Sequence, residues 1–387
     1  MDFFTQLFSG ELFRMFIYDF LYFPIVIKIA VVFIFVALAA TIIAYLSILF
    51  RRFEGHKRDL MLARINPKID NIITENIILN DGILADLPID QIEVNIDGFR
   101  RPLFRKRWVR QALIDRIMEY RKNFVGSIGE LLRLVYIDLE LDKESFRKMK
   151  SPRWDKKVQA LVEFTNMDIT IADVNILPLT NSKVRELRAE ARHAYIKLSK
   201  NEPFKFFDVA TEPLLMWDQI ELFKIITSTK DIAIPNFARW VTYSSNKSVV
   251  SFCLKLIVHY NQLAAIPAVI KLLDNRDHYL RADAINCLGK MKVEEVEEKL
   301  VNIYNNQPVH CQIEILKAIG RIESGKYIDF LRNEFLHATD FDLRKNAARS
   351  LVKNEWMARD VIQGLLATVS PEHLLILKHC MNPLIKY

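Results

Sequence analysis

The sequence predicts an all-α protein: one membrane-crossing helix near the N-terminus, followed by a long array of helical hairpins. Three observations carry this expectation. Ile29–Phe50 is a run of 22 residues without a charge. From residue 103 onward, apolar residues recur at helical spacing, as in WVRQALIDRIMEYRKNF and SIGELLRLVYIDLEL. A helical motif then repeats at 31–32 residues, the mark of a stacked array. Composition agrees. Of 387 residues, 51% are hydrophobic and 26% charged, which suits a large core and excludes a disordered chain. Only ten glycines are present, against glycine-rich nucleotide folds and turn-rich sheets.

Residues 1–23, MDFFTQLFSGELFRMFIYDFLYF, are crowded with Phe, Tyr and Leu and read as a short interfacial helix on the outer membrane face. The alternative is an extension of the spanning helix, kinked at Pro24. Residues 24–50 contain the span itself. At about 1.5 Å per residue the uncharged run covers roughly 33 Å, enough for the hydrocarbon core. It is too long for a signal peptide, its leader is acidic, and no small-x-small cleavage site comes after it.

The net charge of +7 is unevenly shared: residues 1–50 sum to −1, so the remainder carries +8. Arg51, Arg52, Lys57, Arg58, Arg64 and Lys68 come after the run, against Arg14 and Lys28 before it. Positive charge marks the cytoplasmic side. The expectation is a single-pass protein of the inner, cytoplasmic membrane, N-terminus outside and C-terminal domain in the cytoplasm. Residues 51–102 form a juxtamembrane segment. Within it only Ile89–Phe99 shows strand-like alternation, read as a loop or a short extended arm.

Residues 103–387 make the array. Its best copy carries Leu280-Arg281-x-x-Ala284-Ile285-x-x-Leu288-Gly289 in a second helix, after a first helix ending at Asp274. One period on stand Ile315, Leu316, Ile319 and Gly320, and the next copy reads Leu343-Arg344-x-x-Ala347-Ala348-x-x-Leu351. One period back stand Val249, Cys253, Leu254 and Ile257. A single hairpin cannot bury its apolar faces alone, so neighbours must stack on it.

With Pro267 in the first helix, Asp274 at its end and Arg281 early in the second, these residues resemble HEAT repeats, in particular the short bacterial, phycobilisome-lyase type. The resemblance is specific over Ala264–Lys353 and looser over Leu103–Tyr260, where Leu187–Leu198 is a degenerate copy with Arg192 at an apolar position. It implies a right-handed α-solenoid, used mostly as a binding scaffold. It also implies that Asp274, Arg281 and Arg344 tie adjacent repeats together, with Gln312 breaking the arginine series.

Chemistry is not expected. No Walker loop, Gly-x-Ser-x-Gly elbow, His-Glu-x-x-His or Gly-x-Gly-x-x-Gly occurs, and no cofactor or metal is implied. The four cysteines, Cys253, Cys287, Cys311 and Cys380, lie far apart without a Cys-x-x-Cys pair. They read as packing residues in a reducing compartment.

Two basic features remain. RRPLFRKRWVR places six bases, Arg100, Arg101, Arg105, Lys106, Arg107 and Arg110, in eleven residues without an acid. Interleaved aromatics suit contact with anionic lipid at the membrane surface. The competing reading is a solvated helix face packing Phe104 and Val109 inward. A membrane tether argues against nucleic acid as the partner. In repeat register, Lys255, Lys317 and Arg349 form one row and His259, Lys290, Arg321 and Lys353 another. Second helices line the concave face in HEAT arrays, so these rows suggest a groove for an acidic partner.

The leading expectation is a non-catalytic membrane-tethered scaffold that docks a membrane-associated protein partner. General resemblance makes it compatible with an accessory role beside an envelope polysaccharide synthase or glycosyltransferase. A sensor of an anionic small molecule or lipid headgroup is the alternative class, and a lyase-like enzyme the third. The charge asymmetry also makes a direct prediction. Alkaline phosphatase fused after Tyr387 should be inactive in intact cells, while a fluorescent reporter at the same point should light up; phosphatase activity would reverse the orientation.

Overall fold

A computed structural model describes Tyr22 and residues 24–385, apart from 85, 86, 93, 101–103, 105, 125, 172, 201, 230 and 231. Residues 1–23, read as an interfacial helix, fall outside it except for Tyr22, which is helical and exposed. The described residues are all-helical and contain no strand. The alternating stretch Ile89–Phe99 instead forms two 3-10 turns, Ile89–Gln91 and Asp97–Arg100. The α-helices of nine residues or more are numbered in chain order. The chain divides into two compact units, Met1–Leu139 and Glu140–Tyr387.

The first unit begins with α1, Ile25–Ile73, an unbroken helix of 49 residues. Pro24 stands at its N-cap, and its carbonyl accepts from the backbone N–H of Ile27 and Lys28. A proline is tolerated there because helix starts leave N–H groups unpaired in any case. Pro24 therefore stands where this helix begins, and the alternative of a continuous helix kinked there falls on residues outside the described ones. Among the described residues this is the one helix long and apolar enough to cross a membrane. Its best window has mean hydropathy 2.8 and is wholly unburied.

Beyond Phe50 the helix runs on through residues 51–64, none of which is buried. It then passes Pro67 into a stripe of buried isoleucines, Ile65, Ile69, Ile73 and Ile77, spaced by four. Helix α2, Arg107–Asn123, packs on α1, and α3, Ser127–Asp138, packs on α2. Arg116 of α2 grips Asp70 of α1 with two hydrogen bonds of 2.7 Å, the forked geometry that makes an arginine–carboxylate pair specific. Both α2 and α3, expected as the start of the array, belong to this unit.

The second unit is repeat-like. After α4, Leu141–Met149, come α5 (Trp154–Met167), α6 (Arg185–Leu198), α7 (Met216–Ser228), α8 (Lys247–His259) and α9 (His278–Lys290). Next are α10 (Val309–Ile322), α11 (Ile328–His337), α12 (Phe341–Lys353), α13 (Glu355–Thr368) and α14 (Pro371–Met381). Helices α5 to α10 begin 31 residues apart, α12 begins 32 after α10, and α14 begins 30 after α12. Shorter helices such as Ile266–Lys271 and Glu297–Ile303 link them.

The same helix positions are buried in every copy from α5 to α12. Ala160, Ala191, Leu222, Cys253, Ala284, Ile315 and Ala347 form one column. Phe164, Tyr195, Ile226, Ile257, Leu288, Ile319 and Leu351 form another. The period thus extends back to residue 154, well before the clear motif copies.

Close approach explains the glycines. A Cβ on Gly289 would lie 2.6 Å from the Ala318 Cα, and one on Gly320 would lie 2.8 Å from the Ser350 Cα. Glycine lets α9, α10 and α12 pack with backbones nearly touching. The buried Ser350 hydroxyl adds a 2.7 Å hydrogen bond to the Leu316 carbonyl.

Caps recur with the period as well: Asn246, Asp277 and Asp340 each accept from backbone N–H groups one turn into α8, α9 and α12. Arg281 bonds the Asn275 carbonyl at 2.7 Å and Gln307 at 2.9 Å, Arg344 pairs with Glu372 at 3.0 Å, and Asp274 with Lys299 at 2.8 Å. Gln312, in the arginine's place, bonds the Tyr304 carbonyl instead.

Because Ala284 is fully buried, Ala284→Asp places an unpaired charge between α9 and its neighbours. The expected loss is roughly 3 kcal/mol or more, read as a lower midpoint in thermal unfolding of the detergent-solubilised chain. An unchanged midpoint would break the register described here.

Candidate functional site

The helix starts place the basic rows by construction. The ninth residue of α6, α7, α8, α9, α10 and α12 is His193, Lys224, Lys255, Asn286, Lys317 and Arg349. The thirteenth is Lys197, Ser228, His259, Lys290, Arg321 and Lys353. The two rows therefore extend two helices further back than the motif copies showed, through His193, Lys197 and Lys224. The sixth residue adds a row of different character: Glu190, Glu221, Phe252, Asp283, Glu314 and Asn346. Carboxylates interleave with the bases.

That interleaving sorts the basic rows into two parts. In the first, Lys255, His259 and Lys290 line one cleft of about 470 Å³ with Phe223, Ser251 and Asp283. Lys255 Nζ donates to Gln219 Oε1 at 2.7 Å, and the His259 ring stands edge-on to Phe223 at 4.8 Å. Burial raises the Asp283 carboxyl above its ordinary range, against the opposing pull of Ser251 and Lys255.

In the second part, Glu314 is the hub. It accepts from Lys317 at 2.8 Å and from Asn286 at 2.7 Å, and lies 3.8 Å from the Arg321 guanidinium. Lys317 is thus neutralised within its own helix. Positive charge is densest at Arg321, Arg349 and Lys353. Burial, then Arg321 and Arg349, push the Lys353 ammonium below its usual range. Burial also lowers Arg321, where Glu314 opposes and Arg349 reinforces the effect. Arg321 keeps one buried Nη1 without a hydrogen bond. Like charges brought together at some cost in stability mark a surface whose composition packing alone does not explain.

The first basic cluster is less uniform. Arg100 closes a 3-10 turn, while Arg101 and Arg105 lie outside the described residues. Lys106 and Arg107, at the start of α2, are exposed. Arg110 turns inward, and its Nη2 donates to the Leu139 carbonyl at 3.1 Å, satisfying the end of α3. Phe104 and Val109 are buried, with the Phe104 ring edge-on to Phe99 at 6.1 Å. On this geometry Lys106 and Arg107 face solvent, and Arg110 is a structural clip.

Cys253, Cys287 and Cys311 are buried thiols and Cys380 is half-buried. Burial pushes Cys287 up to about 12, which holds its thiol protonated and unreactive at neutral pH. Among the described residues no three His, Cys, Asp or Glu side chains converge to hold a metal ion.

No family model and no curated protein matches this chain. Among solved structures it is weakly similar to the crystal structure of an engineered protein from the Northeast Structural Genomics Consortium. The TM-score is 0.32 at 13% identity, covering 70% of this chain and 80% of the other.

The lowered Lys353 pKa has a stability consequence. The unfolded chain holds its proton more tightly, so the penalty is present at neutral pH and relieved as pH rises through the depressed value toward 10.5. Lys353→Gln should raise stability at pH 7 by no more than about 0.5 kcal/mol, because Lys353 is exposed, solvent screens its like-charge neighbours, and the helix end partly offsets their repulsion. The gain should vanish near pH 10.5 in parallel thermal melts of the two proteins.

Proposed function

We propose that this chain is a non-catalytic, membrane-tethered scaffold. In this reading the repeat-like unit is a right-handed α-solenoid of HEAT-like hairpins on the cytoplasmic side, and its basic face docks an acidic segment of a membrane-associated protein. The observation that carries the reading is the gathering of Arg321, Arg349 and Lys353 at fixed positions of adjacent helices, where burial, reinforced by neighbouring positive charge, lowers the Arg321 and Lys353 pKa values. An acidic partner supplies counter-charge, and a row of bases along a groove also steers its approach. Tethering adds to this, because a partner in the same membrane meets the face at high effective concentration.

Neutralising the cluster separates binding from folding. The triple variant Arg321→Gln, Arg349→Gln, Lys353→Gln should keep helicity and membrane insertion. It should also lose at least about tenfold of the protein recovered with the chain from membranes in mild detergent, as loss of charge-assisted contacts implies. A control triple away from that face, Lys271→Gln, Lys299→Gln and Lys326→Gln, removes the same charge, breaks only exposed pairs to Asp274 and Glu294, and should recover the partner normally. Equal recovery by both would remove the basic face as the recognition element.

A further inference from the structure

Arg192 is the one break in an apolar column. The equivalent residues of the neighbouring copies are Leu161, Phe223, Leu254, Ile285, Leu316 and Ala348. An arginine in that place is 1% exposed, and the chain does not satisfy it. Its Nε donates to the Thr180 carbonyl at 3.2 Å and its Nη1 stands 3.9 Å from Asp218, while Nη2 has no partner. Asp218 is itself committed elsewhere, accepting from the Leu215 N–H at the start of α7 and lying 3.7 Å from Arg185.

Burial, with Arg188 beside it, lowers the Arg192 pKa to about 10. Structural arginines of the same unit look different. Arg188 and Arg281 each bond the carbonyl six residues back, at 2.6 and 2.7 Å. Arg192 carries the desolvation cost of a buried cation without that return.

Arg192 lines a cleft of about 580 Å³ between α6 and α7, within the size range of small-molecule sites. Charged walls select the ligand. Glu186, Glu190, Asp218 and Glu221 line it, against Arg192, Lys224 and His193, whose ring Nδ1 stands 3.5 Å from Glu190. The Trp217 indole N–H, at 2.7 Å, holds the Glu221 carboxylate in place. A simple anion would answer Arg192 but meet an excess of carboxylates. A simple cation would answer the carboxylates and leave Nη2 unpaired beside a second positive charge. A ligand carrying both charges satisfies both walls.

We propose that this cleft binds a small zwitterion of the amino-acid type, its carboxylate on Arg192 and its ammonium among Glu186, Glu190 and Glu221. The site lies on α6 and α7 and involves none of Arg321, Arg349 or Lys353, so it stands independently of the docking face.

The test uses the full chain in detergent, with thermal unfolding and titration calorimetry. The common L-amino acids are tried one at a time, with propionate and propylamine as half-ligands. At least one amino acid should raise the unfolding midpoint saturably, and neither half-ligand should. Arg192→Leu restores the apolar column, so it should raise the midpoint of the unliganded chain while weakening the amino acid at least about tenfold, the loss expected for a charge-assisted pair. Arg192→Lys keeps the charge but loses the fork, and should also weaken binding with little change in the midpoint. Absence of any amino-acid response in the unaltered chain would overturn the site. So would undiminished binding by Arg192→Leu or, should that variant fail to fold, by Arg192→Lys.

Discussion

From α8 to α12 the second helices of the repeat-like unit pack on neighbours at one period's distance, the inner ones, α9, α10 and α12, on two at once. A hairpin of this size packs its two helices together but completes the burial of its apolar residues against the neighbouring copies. That constraint governs most of the unit. It requires the same helix positions to be apolar in copy after copy, as the Ala284 and Leu288 columns show. It requires glycine where backbones come closest, at Gly289 and Gly320. It also confines polar side chains to the few positions left over, chiefly the fourth, sixth, ninth and thirteenth. The rows of charge are therefore a consequence of packing geometry before they are anything else. Packing does not dictate their sign.

The legible part of the fold is the part where side-chain size is constant along a column. From Leu280 to Leu351 the column residues are aliphatic or alanine, so the period stands out in the letters themselves. Toward α5 and α6 the same positions hold Phe164 and Tyr195, beside Ala160 and Ala191. Large and small residues there exchange volume across the interface, which fills the space but hides the repeat. The carboxylate row is legible in register as well, since Asp283 and Glu314 stand three residues before Asn286 and Lys317; what the fold adds is the contact itself, Lys317 folded back on Glu314. Arg192 does stand out as an arginine at an apolar position. Its orphan Nη2 and the cleft beside it depend on Asp218 and Glu221, distant in sequence, and no local pattern announces them.

In the first unit the long helix has a mechanical consequence. The uncharged run ends at Phe50 and the first buried residue is Ile65, with unburied helix between. Fourteen residues of helix span about 21 Å. The same number in a flexible linker would reach a similar mean distance but sample all shorter ones. A continuous helix instead sets a fixed stand-off between the apolar run and the Ile65–Ile77 stripe. Arg116 on Asp70 then fixes α2 to that helix. The bases at 51, 52, 57, 58 and 64 lie on the stand-off itself, where proximity to the end of the run is greatest. Lys106 and Arg107 sit on a different helix, and their distance from any bilayer depends on how α2 is mounted rather than on sequence proximity.

The two basic rows do not carry equal weight. The thirteenth position falls in the last turn, where His259, Lys290, Arg321 and Lys353 face the negative end of their helices. A cation there gains about 0.3–1 kcal/mol from unpaired carbonyls, which is reason enough for a base in the absence of any partner. The ninth position lies mid-helix, where the dipole offers nothing. Of its members, Lys317 is balanced by Glu314, while Lys255 reaches an uncharged amide on Gln219. Arg349 sits one turn before Lys353 and contributes to lowering both its pKa and that of Arg321. Helix electrostatics explains the second row and local pairing explains part of the first. Arg349 stands mid-helix beside Arg321 and Lys353, where it adds to the burial that lowers both of their pKa values, and that grouping carries the strongest argument for an acidic partner on this face.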